Sequence, residues 1–100
     1  MDNLFQKVHE IVTKVPKGKV TTYGEIAKSL GTKDVRKIGW ALHANKDLSV
    51  PCHRVVNKDG RLAPGYAFGG PDMQKEKLLK EGVLFKDQMH VDLKKCMINL

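Results

Sequence analysis

Cys52, His53 and Arg54 place a thiol, an imidazole and a guanidinium side by side, in a short apolar segment that Pro51 opens and Val55 continues. A thiol becomes a strong nucleophile only as the thiolate, and basic or cationic neighbours lower its pKa. The segment therefore indicates a reactive cysteine to which the rest of the chain delivers a substrate. The alternative is an inert cysteine on a core strand, because free cysteine is among the most buried residue types.

The other cysteine and the histidines do not indicate a second chemical centre. Cys96 could in principle pair with Cys52, but no secreted disulfide framework is evident and cytosolic thiols stay reduced. The chain has no Cys-x-x-Cys sequence, and its 4 histidines are scattered along it. We therefore expect neither a disulfide nor a metal site.

The length and composition are those of one soluble domain over residues 1–100, with 41% hydrophobic and 29% charged residues. No stretch approaches the roughly 20 apolar residues of a membrane span, and the N-terminus lacks the pattern of a signal peptide. We therefore expect an intracellular protein with no membrane partner. It would be cytoplasmic, associated with the nucleoid in a prokaryote, or nuclear in a eukaryote.

The chain is strongly basic, since 18 lysines and arginines against 11 acidic residues give a formal net charge of +7. Such an excess is typical of a surface that binds nucleic acid. A generic basic surface would give the same count, so charge alone favours nucleic acid only modestly.

The first half of the chain predicts three helices. Apolar residues at helical spacing indicate a first helix over residues 3–15. A second helix begins at Thr22, where Glu25 stands at the capping-box spacing, and ends at Gly31. Thr32 is expected to cap a third helix that runs to about residue 44, so the last two form a helix-turn-helix. The positions predicted to face the core are Leu4, Val8, Ile11, Val15, Ile26, Ala27, Leu30, Val35, Ile38 and Leu42.

The third helix has a basic face opposite its apolar row, formed by Lys33, Arg36, Lys37, Trp40 and His43. A recognition helix needs such a face to meet phosphates and enter a groove. A solvated charged face is the alternative. Gly39 costs about 1 kcal/mol in a helix interior relative to alanine, which indicates a close approach by the reactive segment or by DNA.

The second half predicts a small β hairpin over residues 55–62, with Asp-Gly in its turn, followed by a glycine-rich loop over 63–70 that suits a pocket wall. Pro71 opens a fourth helix that Gly82 ends, and alternation at 89–93 indicates a terminal strand. The fourth helix is expected to turn Met73, Leu78 and Leu79 inward. The predicted fold is therefore mostly α with one small hairpin.

Five segments in one order resemble the O6-alkylguanine-DNA alkyltransferases, also called methylated-DNA–protein-cysteine methyltransferases. They are 18–27 (GKVTTYGEIA), 35–39 (VRKIG), 51–56 (PCHRVV), the loop motifs of 65–70 (GYA and GG) and 78–82 (LLKEG). The resemblance covers residues 3–84 and leaves 85–100 as a C-terminal extension. It implies a winged helix-turn-helix DNA-binding domain of the C-terminal type found in that family.

The resemblance also implies an activity. The protein would repair DNA in a single turnover and without a cofactor, by moving the alkyl group of a flipped O6-alkylguanine to Cys52. His53 would act through a water as general base, oriented by Glu81. Tyr23 would place its hydroxyl near the flipped guanine, and Asn45 would tie the helix-turn-helix to the reactive segment. Arg54 is expected to be structural, bonding carbonyls.

The implied contacts fall into two groups. The guanine would be bound by Tyr23, Val55, Tyr66, Ala67 and Phe68, with main-chain groups of Cys52 taking part. Double-stranded DNA would be bound by Thr22, Tyr23, Lys33, Arg36, Lys37, Gly39 and Trp40. By the same resemblance, Arg36 would fill the position that the flipped base vacates, and the protein would act as a monomer.

Other features are more similar to the alkyltransferase-like proteins, which bind alkylated DNA without transfer and recruit nucleotide excision repair. They include the short length, Trp40 after the recognition-helix glycine, and residues 91–95 (VDLKK). Phe68 is inserted in the loop. Those proteins typically carry tryptophan at the position of Cys52, so both a methyltransferase and a non-catalytic lesion-binding protein stay open. A winged-helix transcription regulator would explain the basic helix but not Cys52-His53.

Overall fold

The computed structural model describes residues 4–99, and most of its secondary structure is helical, as the sequence predicts. The elements in chain order are α1 (Leu4–Thr13), β1 (Thr21–Thr22), α2 (Tyr23–Ser29), α3 (Val35–His43), a 3-10 turn (Cys52–Arg54), β2 (Val55–Val56), α4 (Gly70–Lys80) and α5 (Leu93–Cys96). None of the helices within 4–99 is long and apolar enough to cross a membrane.

The helix-turn-helix forms as predicted, with one correction at its third helix. The Thr22 hydroxyl accepts a hydrogen bond from the amide of Glu25 at 3.1 Å and caps α2. The cap of α3 is Asp34, whose carboxylate accepts from the amide of Lys37 at 3.2 Å. The prediction of Thr32 as that cap is wrong, because its hydroxyl instead accepts from the amide of Asp34 and so shapes the turn before the helix.

The two short strands pair in parallel, and the predicted antiparallel hairpin is wrong. Thr21 lies opposite Val55 and Thr22 opposite Val56. The turn after β2 does form, since the amide of Gly60 donates to the carbonyl of Asn57 at 2.8 Å. Beyond the turn, however, the chain leaves β2, and residue 61 forms an isolated bridge with residue 90 instead of a second strand.

The strand pair joins two halves of the core. Val55 packs in a cluster with α1, α2, α3, Cys52 and Tyr66, whereas Val56 packs in a second cluster with residues of α4 and the C-terminal segment. Successive residues of a strand point to opposite faces, so one two-residue strand contributes to both clusters. The reactive segment therefore lies where the two clusters meet.

Two predictions about the second half are corrected. The buried residues of α4 are Leu78 and Gln74, whereas Met73 and Leu79 are exposed, because the inward face includes a polar residue that hydrophobic periodicity does not detect. Val35, at the start of α3, is exposed as well. The predicted strand at 89–93 is limited to isolated bridges at residues 90 and 91, and Leu93 begins α5.

Candidate functional site

Cys52 lies at the start of the 3-10 turn with 5% of its surface exposed, and Asn45 fixes its position from the end of α3. The amide Nδ2 of Asn45 donates to Sγ of Cys52 and to the carbonyl of Asp47, each at 3.0 Å. Its Oδ1 accepts from the amide of Asp47 at 2.9 Å, so the amide group can adopt only one orientation. The recognition helix and the reactive segment are thus joined through one side chain.

Burial raises the pKa of the Cys52 thiol, and the hydrogen bond from Asn45 offsets only part of that effect. The nearby charge of Lys77 also lowers this pKa, while that of Asp47 raises it. The thiol is therefore protonated near neutral pH. It needs a base before it can act as a nucleophile.

His53 and Arg54, which follow Cys52 in the 3-10 turn, form a partly buried charge network with Glu81. Nε2 of His53 lies 3.0 Å from Oε2 of Glu81. Arg54 donates to the same carboxylate through Nε at 3.0 Å and Nη2 at 2.6 Å, and to the carbonyl of Val15 through Nη1 at 2.7 Å. The carboxylate beside Nε2 favours a proton on that nitrogen, which leaves Nδ1 as the acceptor.

The electrostatics of this network suit a general base. Burial lowers the pKa of His53, although Glu81 acts in the opposite direction, so the imidazole is neutral near pH 7. Burial alone would raise the pKa of Glu81, but the hydrogen bonds from Arg54 and the proximity of His53 hold it below its ordinary value. A neutral imidazole beside an ionised carboxylate can accept a proton, because the carboxylate stabilises the imidazolium that forms.

Tyr23, the first residue of α2, faces the same region. Burial, together with the proximity of Cys52, raises its pKa to about 12, so its hydroxyl keeps its proton. A Cβ atom added at Gly39 would lie 3.9 Å from Cε1 of Tyr23. The recognition-helix glycine therefore lies beside this ring.

Two connected cavities reach the site. A groove of about 770 Å³ runs between Tyr23, Arg36 and Gly39 on one side and the segment 57–65 on the other. A smaller pocket of about 10 Å³, which shares part of its lining with the groove, lies against Cys52. Its volume is about that of one water molecule, so a base could enter only if the pocket walls moved. Tyr23, Ala63 and Gly65 line both cavities.

The structure brings most of the predicted guanine-binding residues together. Tyr66 and Ala67 line the small pocket, and Phe68 packs edge-on against Tyr66 with ring centroids 5.8 Å apart. Val55 is fully buried in the core and does not line either cavity, and its carbonyl accepts a hydrogen bond from Nε2 of Gln74 at 2.9 Å.

Four of the predicted DNA-binding residues are exposed, whereas Tyr23 and Gly39 are half-buried and Thr22 is buried with its hydroxyl used as the helix cap. The side chains of Lys33, Arg36, Lys37 and Trp40 are exposed, and that of Trp40 is 70% accessible. Two further cations that sequence reasoning missed, at positions 58 and 61, line the opposite side of the groove. The turn that carries them follows β2, whose partner strand β1 is distant in sequence. Their position across the groove therefore has no local signal in the sequence.

Two more residues of the site have weak signals in the sequence. Gln74 is fully buried on α4, where its side chain reaches the carbonyls of His53 and Val55. The Arg54–Glu81 ion pair joins residues 27 positions apart. Opposite charges alone do not indicate such a pairing. The polarity of a glutamine side chain predicts a position on the surface of a helix.

Comparison with known proteins gives a consistent result. The family described as "6-O-methylguanine DNA methyltransferase, DNA binding domain" matches residues 3–83. Alkyltransferase-like protein 1 of Schizosaccharomyces pombe is 40% identical over 85 residues, which are 83% of this chain and 79% of that protein. The methylated-DNA–protein-cysteine methyltransferase of Methanosarcina acetivorans is 47% identical over 68 residues, which are 65% of this chain and 43% of that protein.

A solved structure extends the likeness to the whole fold. The chain resembles S. pombe Atl1 in complex with damaged DNA containing O6-carboxymethylguanine, with a TM-score of 0.85 and 34% identity. The match covers 100% of this chain and 98% of that one. The arrangement of helices is therefore that of Atl1, and relatives named as alkyltransferase-like and as methyltransferase both match the sequence.

Proposed function

Because this chain belongs to the 6-O-methylguanine DNA methyltransferase family, we propose that it binds O6-alkylguanine in double-stranded DNA and transfers the alkyl group to Cys52 in a single turnover. The observation that carries this proposal is a buried, protonated thiol at the small pocket, in the same 3-10 turn as a neutral His53 whose Nε2 lies 3.0 Å from the carboxylate of Glu81.

DNA binding would begin at the exposed face of α3. Lys37 and, just before the helix, Lys33 would neutralise phosphates, and Arg36 at the edge of the groove would occupy the position of the flipped guanine. The base would enter the groove of about 770 Å³ and reach the small pocket as the loop over Cys52 moved.

The transfer itself is a displacement at the alkyl carbon. Nδ1 of His53, acting through a water, takes the proton of the thiol, and Sγ of Cys52 forms a bond to the alkyl carbon as the bond from that carbon to O6 breaks. The electron pair stays with the guanine, whose charge the protonated hydroxyl of Tyr23 would stabilise by a hydrogen bond. N1 of the guanine then takes up a proton from water, and the imidazolium of His53 returns its proton to water. The products are a thioether on Cys52 and an unmodified guanine, and no cofactor is needed.

A second candidate is a non-catalytic protein that marks O6-alkylguanine for nucleotide excision repair. The small volume of the pocket beside Cys52 and the similarity to an alkyltransferase-like protein favour it. In that case Cys52 would line the pocket without reacting.

The mass of the intact protein after incubation with a duplex containing O6-methylguanine separates the two candidates. We expect wild-type protein to gain one methylene stoichiometrically, because a methyl group replaces the thiol proton. Cys52→Ser should show no gain, since a hydroxyl of much higher pKa is not activated by the same base. Cys96→Ser is the matched control and should keep the gain. Binding of the duplex by the wild type without any change in mass would contradict transfer and support the second candidate.

Arg36→Ala is expected to weaken binding to the lesion-containing duplex by about tenfold or more, since an arginine that contacts the base stack contributes about 1–3 kcal/mol. Fluorescence anisotropy of labelled duplexes measures the change. Reaction with free O6-benzylguanine base should be unaffected, because it needs no flipping.

Lys86→Ala removes one exposed charge from the C-terminal segment and serves as the matched control. Equal losses of affinity in the two variants would mean that Arg36 contributes only general electrostatic attraction and would remove it from the flipping role.

A further inference from the structure

We infer that Lys77 is a specificity-determining residue, which holds the loop of residues 63–70 closed over Cys52 and thereby limits the size of the O6 substituent that the pocket admits. The inference rests on the proposed function, because it concerns which lesions that same pocket accepts. It assigns a role to a side chain of α4 that neither the sequence pattern nor the chemistry of transfer requires.

Lys77 holds the middle of the loop through two contacts. Its Nζ donates a hydrogen bond to the hydroxyl of Tyr66 at 2.6 Å. The same nitrogen lies 5.2 Å from the ring centroid of Phe68. A cation over an aromatic face within about 6 Å is attracted by the ring, and a charged donor strengthens the hydrogen bond. One ammonium group therefore binds both aromatic residues of the loop.

The two ends of the loop are held by other groups. The amide of Ala63 donates to Oε1 of Gln74 at 2.7 Å, and the carbonyl of Gly65 lies 2.7 Å from Nδ1 of His43. At the far end the chain enters α4 through Gly69 and Gly70, whose φ angles are +116° and +75°. Between these anchors, the contacts with Lys77 connect the rings of the loop to α4.

The loop determines the volume beside the thiol. Tyr66 and Ala67 line the pocket of about 10 Å³, and Phe68, the inserted residue, packs against the same core cluster. A volume near that of one water cannot hold a large alkyl group. The walls must move for any alkylated guanine, and a larger substituent displaces the Tyr66–Ala67 wall further, which stretches the contacts with Lys77 more.

The test compares duplexes of one sequence that carry either O6-methylguanine or O6-benzylguanine. In Lys77→Met, which keeps a long side chain but loses the charge, we expect the ratio of benzyl to methyl transfer rates to rise about tenfold, a size consistent with loss of one cation–π and one charge-assisted contact. Lys77→Arg, which keeps the cation, should restore the wild-type ratio. The rates are followed by the mass of the alkylated protein.

Lys75→Met is the matched control, because Lys75 lies on the same helix and makes the same kinds of contact away from the pocket. Its Nζ lies 5.3 Å from the ring of Phe85 and donates to the carbonyl of Gln88 at 2.6 Å. Its benzyl-to-methyl ratio should stay at the wild-type value. Thermal unfolding of each variant identifies any general loss of stability, and Tyr66→Phe, which removes one acceptor but keeps the ring, provides a milder probe if Lys77→Met does not fold.

The test of Lys77 can fail or succeed independently of the test of alkyl transfer. If no duplex alkylates wild-type Cys52, transfer is excluded, and the same variants are compared by the ratio of their dissociation constants for the two duplexes. The role of Lys77 is overturned if Lys77→Met leaves the benzyl-to-methyl ratio of rates or dissociation constants unchanged. It is also overturned if Lys75→Met changes that ratio by the same amount. A selective change in favour of benzyl supports it for either kind of protein.

Discussion

Replacing Glu81 with glutamine is expected to slow alkyl transfer to Cys52 by a factor of about 10² or more, the lower end of what a positioned general base contributes. It should also lower the free energy of unfolding by about 3 kcal/mol, because it leaves a buried cation without its counterion. The side chains of Arg54 and Glu81 are 12% and 13% exposed, and two hydrogen bonds join them. Single-turnover rates and urea unfolding at neutral pH measure the two effects.

The pH dependence of the same variant has a definite sign. The pKa of Glu81 is lowered in the folded protein, so its contribution to stability is present above the ordinary glutamate value of about 4.3 and is lost as the pH falls through the folded-state pKa. Urea unfolding below about pH 4.3 should therefore be less pH-dependent in Glu81→Gln than in the wild type. Because Glu81 also raises the pKa of His53, its removal should move the acid limb of the rate profile to lower pH.

Glu76→Gln on the same helix is the matched control. Glu76 pairs with Lys80 at 3.2 Å across an exposed surface, where an ion pair contributes about 1 kcal/mol or less. If Glu81→Gln behaved like Glu76→Gln in both rate and stability, the charge network would have no part in either the chemistry or the fold.

Gln74→Leu is expected to lower the free energy of unfolding by about 3 kcal/mol or more, since each buried polar group left without a partner costs about 1–3 kcal/mol. Gln74 is fully buried, and its amide donates to the carbonyls of His53 at 3.1 Å and Val55 at 2.9 Å while accepting from the amide of Ala63 at 2.7 Å. Leucine is similar in size but satisfies none of these groups. Chemical denaturation provides the measurement.

Transfer to Cys52 should fall in the same variant, because Gln74 fixes both the reactive segment and the start of the pocket loop. Gln88→Leu, a change of the same kind at an exposed position, should alter the stability by about 0.5 kcal/mol or less. An unfolding midpoint of Gln74→Leu equal to that of Gln88→Leu would show that the three backbone groups find other partners.

The parts of the site that sequence reasoning identified are those with a local signature. Cys52 and His53 are adjacent, Glu81 precedes the glycine that ends α4, and Asn45 ends the recognition segment, so the order of the motifs was enough to name them. The ion pair between Arg54 and Glu81 and the three bonds of Gln74 depend on how the 3-10 turn meets α4 in space. Hydrophobic periodicity detects the apolar faces of helices. It does not detect a buried glutamine whose side chain forms hydrogen bonds with backbone groups.

The distinction between local signals and contacts between distant segments also explains the errors in the predicted secondary structure. The Asp59-Gly60 turn forms because its chemistry is local, and Gly60 has a φ of +90°. The partner of β2 is set by burial on both faces, which favours the parallel pairing with β1 and is not encoded by the turn. Thr32 and Asp34 are both good capping residues, and the sequence does not show which of them begins α3.

The C-terminal segment has a consequence for how the chain folds. The amide of Val20 donates to the carbonyl of Cys96 and the amide of Ile98 to the carbonyl of Val20, each at 2.9 Å. These contacts close a loop of most of the chain, whereas the helix-turn-helix consists of local contacts that form early. We expect the DNA-binding helices to gain structure before Val20 pairs with the segment around Met97, so that the second half of the core is completed last. The cooperative folding unit thus extends past residue 83, where the match to the described DNA-binding domain ends.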